Sequence, residues 1–202
     1  MNAQEIRAST DFQRCAAFHG HVCPGLAIGY KAAKAAMRFL QQQQRAEDEE
    51  LVAIVETDAC SADAVQVLTG CTFGKGNFIY KDHGKMALTL LDRNTGQGVR
   101  VCTKPRLAGA HTRHGELLQK MMAGSLNEAE RAEFQQLHQQ RSDAVLETPD
   151  EELFTITATH QALPPKARME PSKPCSQCGE PVMGCKLQEV DGRLLCRSCL
   201  PH

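Results

Sequence analysis

The chain has 202 residues, 42% of them hydrophobic and 23% charged, with 23 Lys+Arg against 24 Asp+Glu and a formal net charge of -1. That length suits one ordinary domain plus a small appendage, and the apolar share is enough for a core, which excludes wholesale disorder. The charge balance argues against a strongly basic nucleic-acid binder. Apolar runs such as Leu51–Val55 are far short of the roughly 20 residues that span a bilayer. The start, MNAQEIRAST, lacks an apolar signal region. A cytoplasmic protein without membrane association is the expectation.

Periodicity predicts a helix over residues 3–17 and a second from Pro24 to about Leu40, since proline is favoured at the first helical position. Gly25, Gly29, Ala32, Ala33 and Ala36 give that helix a small-residue face suited to close packing. The polar run 41–50 reads as a frayed end and exposed loop. Leu51–Glu56 has the composition of a buried strand, and Asp58–Gly70 that of a helix capped by Asp58 and stopped by Gly70. Phe78–Asp82, Ala87–Asp92 and Gly98–Cys102 are predicted strands, the last two joined at Asn94-Thr95-Gly96. Helices over His114–Ala123 and Asn127–Glu147 and a strand over Leu153–Thr159 follow. The class is α+β: helices packed on an antiparallel sheet of about four or five strands, followed by a small C-terminal zinc ribbon or finger. Four prolines between Leu163 and Pro174 make a stiff connection, which sets the domains at 1–165 and 166–202.

Ten cysteines are an excess for this length, and in a reducing compartment they point to metal sites or reactive thiols. Cys175-Ser-Gln-Cys178 and Cys196-Arg-Ser-Cys199 form paired CxxC knuckles, the pattern of one tetrahedral zinc ion held by four thiolates. So short a tail has little core, so the metal supplies its folding free energy. Asp191-Gly192 marks a turn between the knuckles, and Cys185 is a spare cysteine. Arg193, Arg197 and Lys186 are available to a partner, and a protein partner is expected rather than nucleic acid.

Phe18-His19-Gly20-His21-Val22-Cys23-Pro24-Gly25 places three soft-metal ligands in five residues ahead of a helix. Cys23 and Cys60 each fall at a helix start, where the dipole favours a thiolate. His19, His21, Cys23 and Cys60 are candidate ligands of a second metal, zinc or iron. Cys60 or Cys23 with His19 or His21 as base is equally the minimum of a nucleophilic site. Cys71 and Lys75 lie in a glycine-containing loop able to hold an anion. His83, at a strand end, is placed to approach the same cleft; His138 is expected to be exposed, and His111 and His114 lack the HExxH pattern of a zinc protease.

FHGHVCPGLAIGYKAA (18–33) and ETDACSADAVQVLTGCTFGKGN (56–77), with the hairpin after them, resemble the FmdE family, which takes its name from formylmethanofuran dehydrogenase. The C-terminal four-cysteine module is similar to the zinc finger of TraR/DksA type that many members append. The resemblance implies a homodimeric α+β core. It also implies one cleft lined by His19, His21, Cys23, Cys60 and Cys71, with His21 and Cys60 the foremost ligands and Asp63 and Lys75 behind them. Cys60 and His19 are its candidate catalytic groups. The family name implies association with a molybdenum or tungsten enzyme that reduces CO2 to a formyl group. The chain itself is too small for a pterin-metal centre and has no ferredoxin-like cysteine run. An accessory metal-binding protein, a cysteine-dependent enzyme and a regulatory zinc-finger protein are the three resulting readings.

Overall fold

A computed structural model describes residues 2–105 and 112–201; His111 lies outside them. The chain divides into two units, Met1–Pro164 and Pro165–His202.

The first unit opens with α1 (Ala3–Ala8) and α2 (Thr10–His19). The sequence predicted one helix here. Ser9 divides it: its extended backbone ends α1, its hydroxyl donates to the Ile6 carbonyl at 2.6 Å and accepts from the Phe12 N–H at 3.3 Å. A serine that satisfies both helix ends competes with an uninterrupted helix. Helix α3 (Pro24–Phe39) begins at Pro24 as predicted, with Cys23 as its N-cap. Strand β1 (Leu51–Val55) is buried along its whole length and leads into α4 (Ser61–Thr69). Helix α4 starts at Ser61, not Asp58, and Cys60 is its N-cap residue.

β2 (Phe78–Tyr80), β3 (Ala87–Asp92), β4 (Gly98–Thr103) and β5 (Phe154–Thr159) complete a five-stranded sheet in the order β2-β1-β3-β4-β5. The sheet is mixed rather than purely antiparallel. β2 runs parallel to β1, with Ala53 opposite Phe78, while β1–β3, β3–β4 and β4–β5 are antiparallel. The cause is the connection: residues 56–77 carry α4 across the sheet, and a helical crossover returns a strand parallel to its predecessor. The β3–β4 hairpin turns at Asn94–Gly96 as predicted, the Gly96 N–H donating to Asp92 O at 2.9 Å.

Alternation along the strands separates two apolar clusters. Leu51, Ala53, Val55, Leu88, Leu90, Val99 and Val101 join Leu26, Ala33 and Val65 in the main core on the helical side. Val52, Ile54 and Leu91 form a smaller cluster on the other side. Helices α5 (Arg113–Met122), α6 (Glu128–Glu147) and the short α7 (Asp150–Leu153) follow β4 in the chain. Asn127 caps α6 in a reciprocal capping box with Glu130.

Helices α3 and α4 approach unusually closely. A Cβ on Gly29 would lie 2.3 Å from the Ser61 carbonyl oxygen and 2.5 Å from its Cα. Only glycine permits that crossing, and the crossing sets the starts of the two helices side by side.

At the far end of β1, the buried Glu56 accepts from Arg100 Nε at 2.8 Å and pairs with His83 Nδ1 at 3.3 Å. Arg100 first, then His83, hold its carboxyl below the ordinary value of 4.5. The folded state therefore binds fewer protons than the unfolded state near that pH. Its contribution is complete above 4.5 and lost as pH falls through the lower folded value. Glu56→Gln should remove part of the acid limb of the stability curve while changing little of its slope near neutrality, as read by thermal melts across pH.

The second unit contains two hairpins. β6 (Ser172–Pro174) pairs with β7 (Pro181–Met183), and β8 (Gln188–Val190) with β9 (Arg193–Leu195). Asp191 and Gly192 both have positive φ, 50° and 73°, which a two-residue hairpin turn requires. Among the described residues, no helix is long and apolar enough to cross a membrane.

Candidate metal centres

In the second unit the sulfurs of Cys175, Cys178, Cys196 and Cys199 lie within 4.8 Å of one another, and Cys178 Sγ and Cys196 Sγ are 3.9 Å apart. A tetrahedron with metal–sulfur bonds near 2.3 Å has edges of about 3.8 Å, so this is the geometry of a zinc ribbon. The first knuckle closes the β6–β7 hairpin and the second follows β9 as a single 3-10 turn, Arg197–Cys199. Backbone N–H groups of Cys178, Cys196 and Gln177 surround the Cys175 sulfur and lower its pKa to about 6, whereas a hydrogen bond with Cys196, followed by burial, pushes the Cys199 thiol up to about 12. Four thiolates at this spacing need a cation to coexist. The apolar support is small: Leu195 with the two buried cysteines, flanked by Val182, Leu187, Val190 and Leu200. Cys185 is outside the cluster, its sulfur directed to the Arg168 carbonyl at 3.7 Å.

In the first unit, His19, Cys23 and Cys60 bring one ligand atom each to within 4.8 Å of the others. His19 is the last residue of α2, and Cys23 and Cys60 are the N-caps of α3 and α4. The close α3–α4 crossing thus sets the two sulfurs together. Gly25 leaves them room, since a Cβ there would lie 3.1 Å from Cys60 Cβ, 3.6 Å from Cys60 Sγ and 3.8 Å from Cys23 Sγ.

Orientation of the imidazole is fixed from behind. His19 Nδ1 is 2.7 Å from Asp63 Oδ2, in the first turn of α4, and His19 Nε2 is 3.7 Å from Cys23 Sγ. Asp63 therefore holds the proton on Nδ1 and leaves the Nε2 lone pair facing the sulfurs, the carboxylate–histidine arrangement of metal sites. The 3.7 Å separation compares with about 3.6 Å for adjacent sulfur and nitrogen ligands on tetrahedral zinc. Asp63→Asn should weaken metal binding at this site by about 10- to 100-fold, measured by competition with a chelator, and leave the ribbon's affinity unchanged.

The dipole argument for a free Cys23 thiolate does not survive burial. Cys23 is 3% exposed, and burial pushes its thiol up to about 11 although the Leu26 N–H donates to the sulfur at 3.3 Å. Without a cation beside it, this thiol stays neutral at neutral pH.

Other candidates from the sequence are placed elsewhere. His21 is exposed; its ring packs on that of His19 with centroids 4.4 Å apart, outside the three-atom cluster. Cys71 is fully buried in the main core, beyond the opposite end of α4 from Cys60, and burial raises its pKa to about 11. Lys75 Nζ donates to the carbonyls of Glu47 and Asp48, at 3.4 and 3.0 Å. The N–H groups of this loop are likewise engaged: Thr72 with Asn77 Oδ1, Phe73 with Gln66 Oε1, Lys75 with Thr72 Oγ1. Buried Asn77 donates to Asp48 O and Leu51 O. These bonds brace the loop against β1 and the residues before it. His83 serves Glu56.

One arrangement escaped sequence reasoning. His138 is half-buried, not exposed, and its Nδ1 is 2.9 Å from His114 Nε2. Phe134 stacks on His114, with centroids 5.3 Å apart, and packs tilted against His138, at 4.9 Å. Burial lowers the pKa of each histidine; at His114 the charge of Arg141 adds to the effect, and at His138 the charges of His114, His21 and Arg141 do so in that order. The available signal was Phe134 and His138, four residues apart and so on one face of α6.

Residues 18–155 match the model of the family described as FmdE, Molybdenum formylmethanofuran dehydrogenase operon. A probable S-adenosyl-L-methionine-binding protein of Archaeoglobus fulgidus is 34% identical over 194 residues, covering 92% of this chain. The chain spans about half the length of that curated relative, 51%. A crystal structure of a tungsten formylmethanofuran dehydrogenase FmdE-like protein from Syntrophus aciditrophicus superposes with a TM-score of 0.60 at 26% identity, covering 98% of this chain and 91% of that one.

Proposed function

Because the chain belongs to the FmdE family, we propose that it is a metal-binding accessory protein of a molybdenum or tungsten formylmethanofuran dehydrogenase-like system. In this reading His19, Cys23 and Cys60 hold a functional ion, zinc or iron, and the four ribbon cysteines hold structural zinc. The observation that carries it is the convergence of two thiols and one oriented imidazole from three helix ends. Three protein ligands leave a fourth position on a tetrahedral ion, the feature that separates working sites from closed structural ones. Thiolate and imidazole donors suit zinc and iron and disfavour magnesium or calcium. The ribbon, closed by four cysteines, is the docking module for a protein partner, with exposed Lys186, Arg193 and Arg197 on its surface. A cytoplasmic homodimer is the expected state.

The test is metal analysis of the reduced protein. Wild type should retain two tightly held ions per chain and Cys60→Ser one. One ion in both proteins would refute the core centre.

A second reading follows from one geometric fact: Asp63, His19 and Cys23 are linked in the order acid, base, nucleophile. It requires a reactive sulfur, whereas Cys23 is buried with its pKa raised. Rapid selective alkylation of Cys23 in metal-free protein near neutral pH would favour it; slow alkylation supports the metal reading.

A further inference from the structure

We infer that His114 and His138 form a separate binding site for a divalent transition-metal ion such as zinc or nickel, on the α5–α6 helix pair. The two imidazoles come from different helices and bring nitrogen to nitrogen, His114 Nε2 to His138 Nδ1, at 2.9 Å. The rings are inclined by only 18° with centroids 5.2 Å apart. At 2.9 Å between nitrogens and 5.2 Å between centroids the two rings meet edge to edge, whereas two imidazoles on one tetrahedral ion stand about 3.3 Å apart with their lone pairs converging at about 109°. A turn of each ring by about 35° in its own plane admits the ion beside the present hydrogen-bond axis. Phe134 packs behind both rings, stacked on His114 and tilted by 35° on His138, which lowers the ordering cost of chelation. Both side chains are half-buried, so solvent reaches the remaining coordination positions.

The chemistry needs no net loss of protons. In the hydrogen-bonded pair one imidazole carries its proton on the facing nitrogen and the other presents a lone pair. Binding requires the donor ring to carry its proton on the far nitrogen instead, and two neutral imidazoles then offer two lone pairs to the ion. A Cys/His centre differs, since its thiols must release protons. Arg141, whose charge reaches both histidines, opposes the ion and makes the site weaker than either cysteine-containing cluster. The bound ion would cross-link α5 to α6.

This inference uses none of the residues of the proposed core centre, and its test separates the two. Full-length protein loaded with zinc and freed of excess metal is titrated with nickel by calorimetry in two buffers of different ionisation enthalpy. One additional ion per chain should bind without proton release in wild type and in Cys60→Ser. It should be lost in His138→Phe, which preserves an aromatic ring beside Phe134, and in His114→Gln. An unchanged number of additional ions in His138→Phe and His114→Gln would overturn the site. So would an additional ion that releases protons and disappears in Cys60→Ser.

Discussion

Gly29→Ala should destabilise the first unit by about 3 kcal/mol and abolish metal binding by His19, Cys23 and Cys60. The added methyl would lie 2.3 Å from Ser61 O and 2.5 Å from Ser61 Cα, and backbone cannot swing aside as a flexible side chain does. Relief requires α3 and α4 to separate. Cys23 and Cys60 cap those two helices, so their sulfurs separate with them. Urea denaturation reads the first effect and metal analysis the second, with the ribbon ion as internal reference. Gly74→Ala is the control: nothing lies within 4 Å of a Cβ there, so a change within about 0.5 kcal/mol is expected. If Gly29→Ala kept full stability and both ions, the close helix crossing would not be what builds the site.

Cys175→Ser should unfold the ribbon and leave residues 2–105 and 112–164 structured. The ribbon's apolar cluster buries only Leu195 and two of the cysteines, with Val182, Leu187, Val190 and Leu200 partly buried against them. Structural zinc contributes an apparent binding free energy of about 10–16 kcal/mol in such modules, far beyond what that cluster supplies. Cys175 is also the cluster thiol whose backbone donors most favour the thiolate, at about 6, so its loss removes the natural first ligand. Amide spectra should show collapsed dispersion for residues 165–201 in the variant and in chelator-treated wild type. A ribbon that stayed folded in both would mean that its hairpins stand without metal.

Local chemistry explains which parts of the fold were legible in the sequence. Pro24, the Asn94–Gly96 turn, Asp191-Gly192 and the paired CxxC knuckles each state a backbone requirement within a few residues, and each is where the sequence put it. The direction of β2 depends on the path of residues 56–77 across the sheet, which no local pattern encodes. Ser9 fits a helix interior by position, and only its hydrogen bonds at both helix ends show the break.

The core centre was half legible. HxHxC and the helix-start cysteine named His19, Cys23 and Cys60 correctly as neighbours in space. Alternation by two also suggested His21, but Gly20 turns left-handed at φ 93° after α2 and breaks the extended run that argument assumed. The glycine-rich loop at residues 71–77 looked free to bind an anion because its side-chain partners, Gln66 and Asn77, are invisible to composition. Asp63 gains its meaning only from the turn of α4 that lays it against His19.

The central claim is that one chain carries two cysteine-containing metal centres of different kind, one closed and one with an open position. Anomalous scattering at the zinc and iron edges from crystals of the reduced protein tests it most directly. The account predicts one peak enclosed by Cys175, Cys178, Cys196 and Cys199, and a second bonded to Cys23 Sγ, Cys60 Sγ and His19 Nε2 with a non-protein fourth ligand. A single peak, confined to the ribbon in metal-replete crystals, would contradict it.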